Sequence, residues 1–289
     1  MFNKVGIIVN NRKKQPVQLA RELINWFLKK GIQVYTTEED GAVLGVEKDM
    51  TTGRLGQEVD CVITIGGDGT FLRAARLASP YSIPILGINM GMLGFLTEVE
   101  LGEMDEALQK LIRGDYYLED RMMLEARVIR DGGEAGSFVG LNDVVINKGP
   151  LARLVILDIF VGDEFVTTYK ADGVIISSPT GSTAYSLSAG GPIVHPEVEV
   201  IIITPICPHT LQARPLVIPS HKTVRVDIVS TQPDSMLTID GQHGFELRNG
   251  DQINAGKAVN YTRLVRIKEY EFFNILQEKL KTEGRMTYE

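Results

Sequence analysis

The chain has 289 residues, enough for about two domains at roughly 100–200 residues each. Hydrophobic residues make up 44%, which supports a sizeable core and argues against disorder. A net charge of −7 argues against a general nucleic-acid binder, and no apolar run approaches the ~18 residues that a membrane span needs.

Residues 1–10 carry too little apolar sequence for a signal peptide and predict a first strand over 5–9. Residues 16–30 predict an amphipathic helix, because Val17, Ala20, Ile24, Phe27 and Leu28 recur at helical spacing. Pro16 suits its first turn and Gly31 its C-cap. A second strand follows at 32–35, and the polar stretch 38–58 reads as loop plus a weak helix. Next come a strand over 61–65, a helix from Thr70 to Ala78, a strand over 84–89 and a helix over 104–112 closed by Gly114. Strands separated by helices imply a parallel, doubly wound sheet. Ligands of such sheets bind at the carboxyl ends of strands, where Asp68 and Asn89 fall.

After Asp120 the period changes to two. Strands are predicted at 124–128, 144–146, 154–161, 174–177, 224–228 and 236–239, separated by Gly, Asp and Pro turns. Residues 270–281 are helical again, with Phe273, Leu276 and Leu280 on one face. The expected division is an α/β domain over 1–120, a mainly β domain over 121–266 and a C-terminal helix over 267–289 that packs back on the first domain. Cys61 and Cys207 lie far apart in apolar surroundings and read as buried, reduced thiols, which fits a cytoplasmic protein.

Residues 65–70 read Ile-Gly-Gly-Asp-Gly-Thr at the end of a predicted strand. Glycines let the backbone approach a bulky anion, and a following helix N-terminus points N–H groups at it, so Gly66, Gly67, Gly69 and Thr70 are candidates for holding phosphate. Asp68 is out of place among them, because a carboxylate repels phosphate; taking a proton or holding a metal would explain it. An Asp-Gly pair alone is most often a turn, but here a helix follows instead of an antiparallel strand. The spacing matches neither the dinucleotide G-x-G-x-x-G fingerprint nor a Walker A loop.

Residues 172–192 lead from an apolar strand into small and hydroxylated residues around one aromatic, Tyr185. The hydroxyls supply donors and acceptors, and Tyr185 offers a ring for a base. A serine-rich linker is the bland alternative, disfavoured by the flanking strands. Asn142-Asp143 offers an amide beside a carboxylate for sugar hydroxyls, or is simply an Asx turn entering a strand. Arg73, Lys148, Arg153 and Lys170 are basic candidates for phosphate, although each alone reads as a surface charge. His195, His209, His221 and His243 have no ligand spacing, and Gly181-Ser182-Thr183 is no G-x-S-x-G elbow.

Taken together, Gly-Gly-Asp-Gly-Thr at 66–70, the stretch 87–98 (GINMGMLGFLTE), Asp172-Gly173 and the stretch 179–192 (PTGSTAYSLSAGGP) resemble the bacterial NAD kinases. Asn142-Asp143 and the stretch 208–216 fit the same family, and the likeness covers nearly the whole chain. The resemblance implies an NAD kinase/diacylglycerol kinase-like fold and transfer of the γ-phosphoryl group of ATP to the 2′-hydroxyl of the adenosine ribose of NAD, giving NADP. It also implies a divalent metal such as Mg²⁺, held by no protein side chain that the sequence identifies. A homodimer or homotetramer follows too, with no nucleic-acid or membrane partner. Carried onto this chain, it makes Asp68 the general base. Gly69, Arg73, Phe95, Asn142, Asp143, Thr183, Ala184, Tyr185, Ser186, Leu187 and Ser188 would line the NAD site, and Asp172 would meet the nicotinamide end. Arg153, Lys170 and Gln242 match further contact positions. Many members carry Glu where this chain has Asp143, whose carboxylate reaches about one methylene less. The alternatives are a lipid kinase with the same glycine-Asp turn and a non-catalytic NAD sensor. Lipid kinases usually continue Gly-Thr-x-Asn-Asp-Phe-Ala, whereas this chain has Gly87-Ile88-Asn89-Met90-Gly91.

Overall fold

A computed structural model describes residues 2–53, 55–91, 94–149, 154–210, 212–231, 235–269 and 271–283. The chain divides into two compact units, Met1–Asp120 with Thr262–Glu289 and Arg121–Tyr261.

Unit 1 is the α/β unit. Its elements are β1 (Lys4–Val9), α1 (Lys14–Lys29), β2 (Gln33–Thr36), α2 (Glu38–Leu44), α3 (Leu55–Glu58), β3 (Cys61–Gly66), α4 (Asp68–Ala78), β4 (Pro84–Asn89) and α5 (Met104–Arg113). The strands run in the order β2-β1-β3-β4, all parallel, in registers such as Ile7↔Ile63 and Ile63↔Leu86. Ile7 and Ile8 point to opposite faces and both are fully buried, as in a strand covered on both sides. Helix α1 turns Val17, Ala20, Leu23, Ile24 and Phe27 inward, and Phe27 joins Ile63, Ile65, Leu86 and Leu108 in the core. Helix α5 ends at Gly114, whose φ of 79° is the left-handed cap that the sequence predicts.

Two strands cross the boundary between the units: β5 (Tyr117–Arg130) and, late in the chain, a strand of 15 residues (Gln252–Arg266). The long strand's end, Arg263 and Leu264, pairs parallel with Pro84 and Ile85 of β4. Arg266 is buried there, with its Nε 2.5 Å from Glu119 and an Nη 3.0 Å from Glu98. Glu98 also accepts the Ile267 and Lys268 N–H groups, so one buried carboxylate fastens the returning chain within unit 1.

Unit 2 pairs its strands from Asp143 to Glu246 antiparallel, among the described residues. It contains β6 (Gly133–Gly140), β7 (Asp143–Asn147), β8 (Val155–Val161), β9 (Glu164–Ala171), β10 (Gly173–Ser177), α6 (Tyr185–Ser188), β11 (Val200–Ile206), β12 (Leu216–Pro219), β13 (Val224–Ser230), β14 (Met236–Ile239) and β15 (His243–Glu246); the strand at Gln252–Arg266 is β16, and α7 (Phe272–Glu283) follows in unit 1. One sheet has the order β12-β11-β10-β7-β14-β15, and a second group places β13 between β16 and β8, with β9 beyond. Strands β8 and β13 alternate as half-buried strands do, with Val155, Leu157, Ile159, Val224, Val226 and Ile228 turned inward. Those residues share a core with Leu124, Val144, Ile146, Val174, Ile176, Ile201 and Leu237.

The α/β and mainly β architecture matches the sequence expectation; details differ. The stretch 38–58 holds α2, a 3₁₀ turn at Lys48–Met50 and α3. Strands β6, β9, β11, β12, β15 and β16 were not predicted; β16, for example, carries Asn254, Gly256, Lys257 and Asn260 and shows little apolar alternation. Cys61 is buried, and burial pushes its thiol pKa up, but Cys207 is exposed, contrary to expectation. The cause is local: β11 ends at Ile206, and Cys207 turns the chain outward at φ 45°. No helix among the described residues is long and apolar enough to cross a membrane.

Candidate functional site

In unit 1 the site is built on the end of β3. The strand is buried along its length, and its last residue, Gly66, pairs with Asn89 at the end of β4. A Cβ at Gly66 would lie 2.4 Å from Thr70 Oγ1, so only glycine fits beneath the first turn of α4. Nothing lies within 4 Å of the corresponding position at Gly67, which leaves that backbone open. Gly67 is the N-cap, extended at φ −108°, and its carbonyl accepts from Thr70 and Phe71. The helix starts at Asp68, two residues before its predicted start. Asp68 is therefore an anion at a helix N-terminus, where the macrodipole favours it.

The Asp68 carboxylate faces a loop. Its Oδ2 accepts the Phe95 N–H at 3.0 Å, and its Oδ1 accepts Leu96 N–H at 3.2 Å and Thr97 N–H at 3.4 Å. Thr97 Oγ1 stands 3.5 Å from Oδ1 and itself accepts from Gly94 N–H at 3.1 Å. A Cβ at Gly94 would fall 1.9 Å from Asp68 Oδ1, so the loop reaches the carboxylate only because residue 94 has no side chain. Two lone pairs per carboxylate oxygen leave Oδ2 with room for one more hydrogen.

In unit 2, β7 and β10 lie side by side, with Asp143 opposite Ser177. Ser178 N–H donates to the Asn142 carbonyl at 2.9 Å, and Ser178 Oγ donates to the Leu141 carbonyl at 2.5 Å. Gly181 N–H then donates to Ser178 Oγ at 3.1 Å. A Cβ at Gly181 would lie 2.1 Å from the Asn142 carbonyl oxygen. The Asn142-Asp143 turn and the segment leading to Tyr185 are thus packed backbone to backbone. Asp143 is 4% exposed, and burial, then the Asp240 carboxylate, push its pKa up to about 7. Tyr185 begins α6 and is 43% exposed. Burial first, then the charges at Cys207, Asp172 and Asp143, raise its phenol pKa.

The other predicted residues fall into distinct settings. Thr183 Oγ1 donates to the Thr180 carbonyl at 3.3 Å, and Ala184 joins the 3₁₀ turn to α6. Ser186 is buried, its hydroxyl 3.0 Å from Thr204 Oγ1, while Leu187 is half-buried and Ser188 exposed. Asp172 pairs with Lys148 at 2.7 Å. Lys170 is exposed on β9, and exposed Gln242 follows the Asp240-Gly241 turn. Arg73 is engaged within unit 1: an Nη lies 2.7 Å from buried Asp40 and donates to the Val9 carbonyl at 2.8 Å. Phe95 stands 6.2 Å, ring to ring, from Phe272. Arg153 lies outside the described residues. Among the described residues no three His, Cys, Asp or Glu converge to hold a metal. Sequence reasoning missed Asp40, inside a stretch without periodicity, and the loop amides that meet Asp68, for which Gly94 was the visible signal.

Residues 5–116 match the ATP-NAD kinase N-terminal domain, and residues 141–267 match the ATP-NAD kinase C-terminal domain. The chain belongs to the NAD kinase family. It is 47% identical over 281 residues to a protein of Heliobacterium modesticaldum named NAD kinase, covering 97% of this chain and 99% of that one. It is 45% identical over 283 residues to the NAD kinase of Caldanaerobacter subterraneus subsp. tengcongensis, covering 96% and 99%. The fold is similar to that of yeast NADH kinase complexed with NADH, with a TM-score of 0.86, 28% identity and coverage of 99% of this chain and 89% of that one. An NAD kinase from Archaeoglobus fulgidus in complex with ATP shares the fold at a TM-score of 0.75 and 22% identity, covering 96% and 99%. These likenesses favour an NAD kinase over the lipid kinase and the sensor.

Proposed function

We infer that the chain phosphorylates NAD, passing the γ-phosphoryl group of ATP to the 2′-hydroxyl of the adenosine ribose to give NADP and ADP. Family membership supports the activity class. The observation that carries the residue assignment is Asp68 at the N-terminus of α4, held by the amides of residues 95–97.

The roles follow from the chemistry. Phosphoryl transfer asks a protein mainly for positioning and charge stabilisation. The segment Gly66, Gly67, Gly69 and Thr70, with its open backbone at Gly67, is assigned to phosphate oxygens of ATP. A ribose hydroxyl is a poor nucleophile at neutral pH; Asp68 takes its proton as the oxygen forms its bond to the γ-phosphorus and the bond to the β-phosphate oxygen breaks. A divalent ion such as Mg²⁺ suits the site when carried by the triphosphate and water, the usual arrangement for that ion, and would offset phosphate charge. Asn142 and Asp143 are assigned to sugar hydroxyls, Tyr185 to a base and Asp172 to the nicotinamide end. Thr183, Ala184, Leu187 and Ser188 accompany Tyr185, and Ser186 contributes through its backbone. Phe95, Gly69, Arg73, Arg153, Lys170 and Gln242 complete the assignment. The reading extends to a cytoplasmic homodimer or homotetramer, on the strength of the family likeness.

Incubation of the pure protein with ATP, Mg²⁺ and NAD, followed by an NADP-specific dehydrogenase cycle, tests this. NADP formation is the expected result. Its absence overturns the reading, and phosphorylation of diacylglycerol in a parallel arm would identify a lipid kinase.

A further inference from the structure

Asp240 lies at the turn between β14 and β15, where Ile239 pairs with His243. It is 8% exposed, and its φ of 51° is left-handed, as is that of Gly241 at 61°. An Asp-Gly pair in this conformation is an ordinary hairpin former, and Asn-Gly would serve as well. The side chain is used for something that a turn does not need. Its Oδ1 accepts Asn142 N–H at 2.8 Å and Asp143 N–H at 3.2 Å, and its Oδ2 accepts Leu141 N–H at 3.1 Å. The Asp240 N–H in turn donates to the Asp143 carbonyl at 3.0 Å. A Cβ at Gly140 would lie 2.6 Å from Ile239 and 3.0 Å from Asp240 Oδ1, so the end of β6 is also shaped to admit this carboxylate.

We propose that Asp240 is a positioning residue of the NAD site, gripping three consecutive backbone N–H groups so that the Asn142 and Asp143 side chains are held for the ligand. This rests on the assignment of Asn142 and Asp143 above. The grip extends further. Asn142 and Leu141 present their carbonyls to Ser178, and Ser178 holds Gly181, so the turn before Tyr185 is placed by the same chain of hydrogen bonds. Three donors need two acceptor oxygens, which a carboxylate has and an amide lacks. The carboxylate also stands beside Asp143, which in turn acts on the Tyr185 phenol of α6.

Asp240→Asn separates the grip from the turn, because Asn tolerates the left-handed backbone but turns an N–H₂ toward one of the three donors. The expected result is a rise in the KM for NAD of about 10- to 100-fold, the scale of a lost charge-assisted hydrogen bond. The change in kcat should be smaller, and the KM for ATP should stay within about twofold. Amide hydrogen exchange at residues 141–143 of the ligand-free protein should quicken. The acid limb of the kcat/KM profile for NAD should move to lower pH, because Asp143 loses a like-charged neighbour. A mere turn residue would move neither the KM nor the limb. Wild-type KM and wild-type exchange in Asp240→Asn would overturn the proposal. If that variant does not fold, exchange in the wild-type protein decides: unprotected amides at 141–143 would overturn it and protected ones support it. The exchange readout needs no turnover, so a wild-type protein that makes no NADP would sink the proposed function while leaving the grip of Asp240 separately tested.

Discussion

The two candidate regions handle a carboxylate in opposite ways. Asp68 begins an 11-residue helix, half-exposed, with its charge offset by three loop amides and by the positive helix end. Asp143 is buried on β7 beside Asp240, with its pKa pushed up to about 7. In unit 2 the amide donors go to Asp240 instead, the neighbour that crowds Asp143. The comparison teaches that position at a strand end does not set a carboxylate's role; the backbone donors around it do. One region aims its backbone donors at the carboxylate itself, and the other presents a group whose protonation changes near neutrality.

The sharpest break of that comparison removes the anion of unit 1. Asp68→Asn should lower kcat about 10²–10⁴-fold, the usual contribution of a general base, with a smaller change in the KM for NAD. The amide also turns a donor toward the loop, so loop disturbance needs its own control. Thr97→Val removes the hydroxyl 3.5 Å from Asp68 Oδ1 and the acceptor for Gly94 N–H while leaving the carboxylate. Steady-state kinetics that found the two variants equally impaired would assign Asp68 to loop positioning rather than to base catalysis.

The next effect comes from closing the space that each region leaves to glycine. Gly94→Ala puts a Cβ 1.9 Å from Asp68 Oδ1, and Gly181→Ala puts one 2.1 Å from the Asn142 carbonyl oxygen. At position 94 the Asp68 side chain or the loop must move, and at position 181 the backbone must. Displacement by about 1 Å costs on the order of 10²-fold in positioned chemistry, so Gly94→Ala should lower kcat by about that factor. Gly181→Ala should appear mainly as a raised KM for NAD. Initial-rate measurements with each substrate varied in turn distinguish the two patterns.

Much of this was readable from the sequence, for physical reasons. Glycines at 66, 67 and 69 after a buried apolar run mark a strand end and a helix start whatever the rest of the fold. The helical spacing of Val17, Ala20, Ile24 and Phe27 and the cap at Gly114 depend only on local geometry. What could not be read depends on distant partners. Asp240 sits 98 residues from Asn142 in sequence, and nothing in Ile239-Asp240-Gly241 distinguishes a grip from a turn. Arg73 reads as a free cation until Asp40, 33 residues away, is placed against it. Strand β16 is hidden because its polar residues interrupt the alternation that marks a strand.

A smaller effect tests the crowded carboxylate through stability. The folded-state pKa of Asp143, about 7, lies above the ordinary carboxylate value of 3.8. Between those values the folded protein holds a proton that the unfolded chain has released, so stability falls as pH rises through the window and levels off above it. Asp143→Asn should flatten that slope and leave the protein more stable than wild type at pH 8, with little difference near pH 4. Thermal melts of both proteins across pH 4–8 measure it. A wild-type slope that survives in the variant would place the titration elsewhere.

The smallest effect is expected at Tyr185, where the ring and the hydroxyl are separable. Stacking of an aromatic side chain on a base contributes about 1–3 kcal/mol, so Tyr185→Ala should raise the KM for NAD roughly 5- to 100-fold. Tyr185→Phe keeps the ring and should stay within about threefold of wild type. Burial and the charges at Cys207, Asp172 and Asp143 raise the phenol pKa, so the hydroxyl remains protonated from pH 6 to 9 and the Phe variant should show the wild-type pH profile. Asp143→Asn, by contrast, should change that profile, because it removes the group that titrates near 7. A Phe variant that shifted the acid limb would mean that the Tyr185 hydroxyl, not the Asp240 carboxylate, governs how Asp143 ionises. The contrast between an amide-compensated Asp68 and a charge-crowded Asp143 would then have to be redrawn around a phenol.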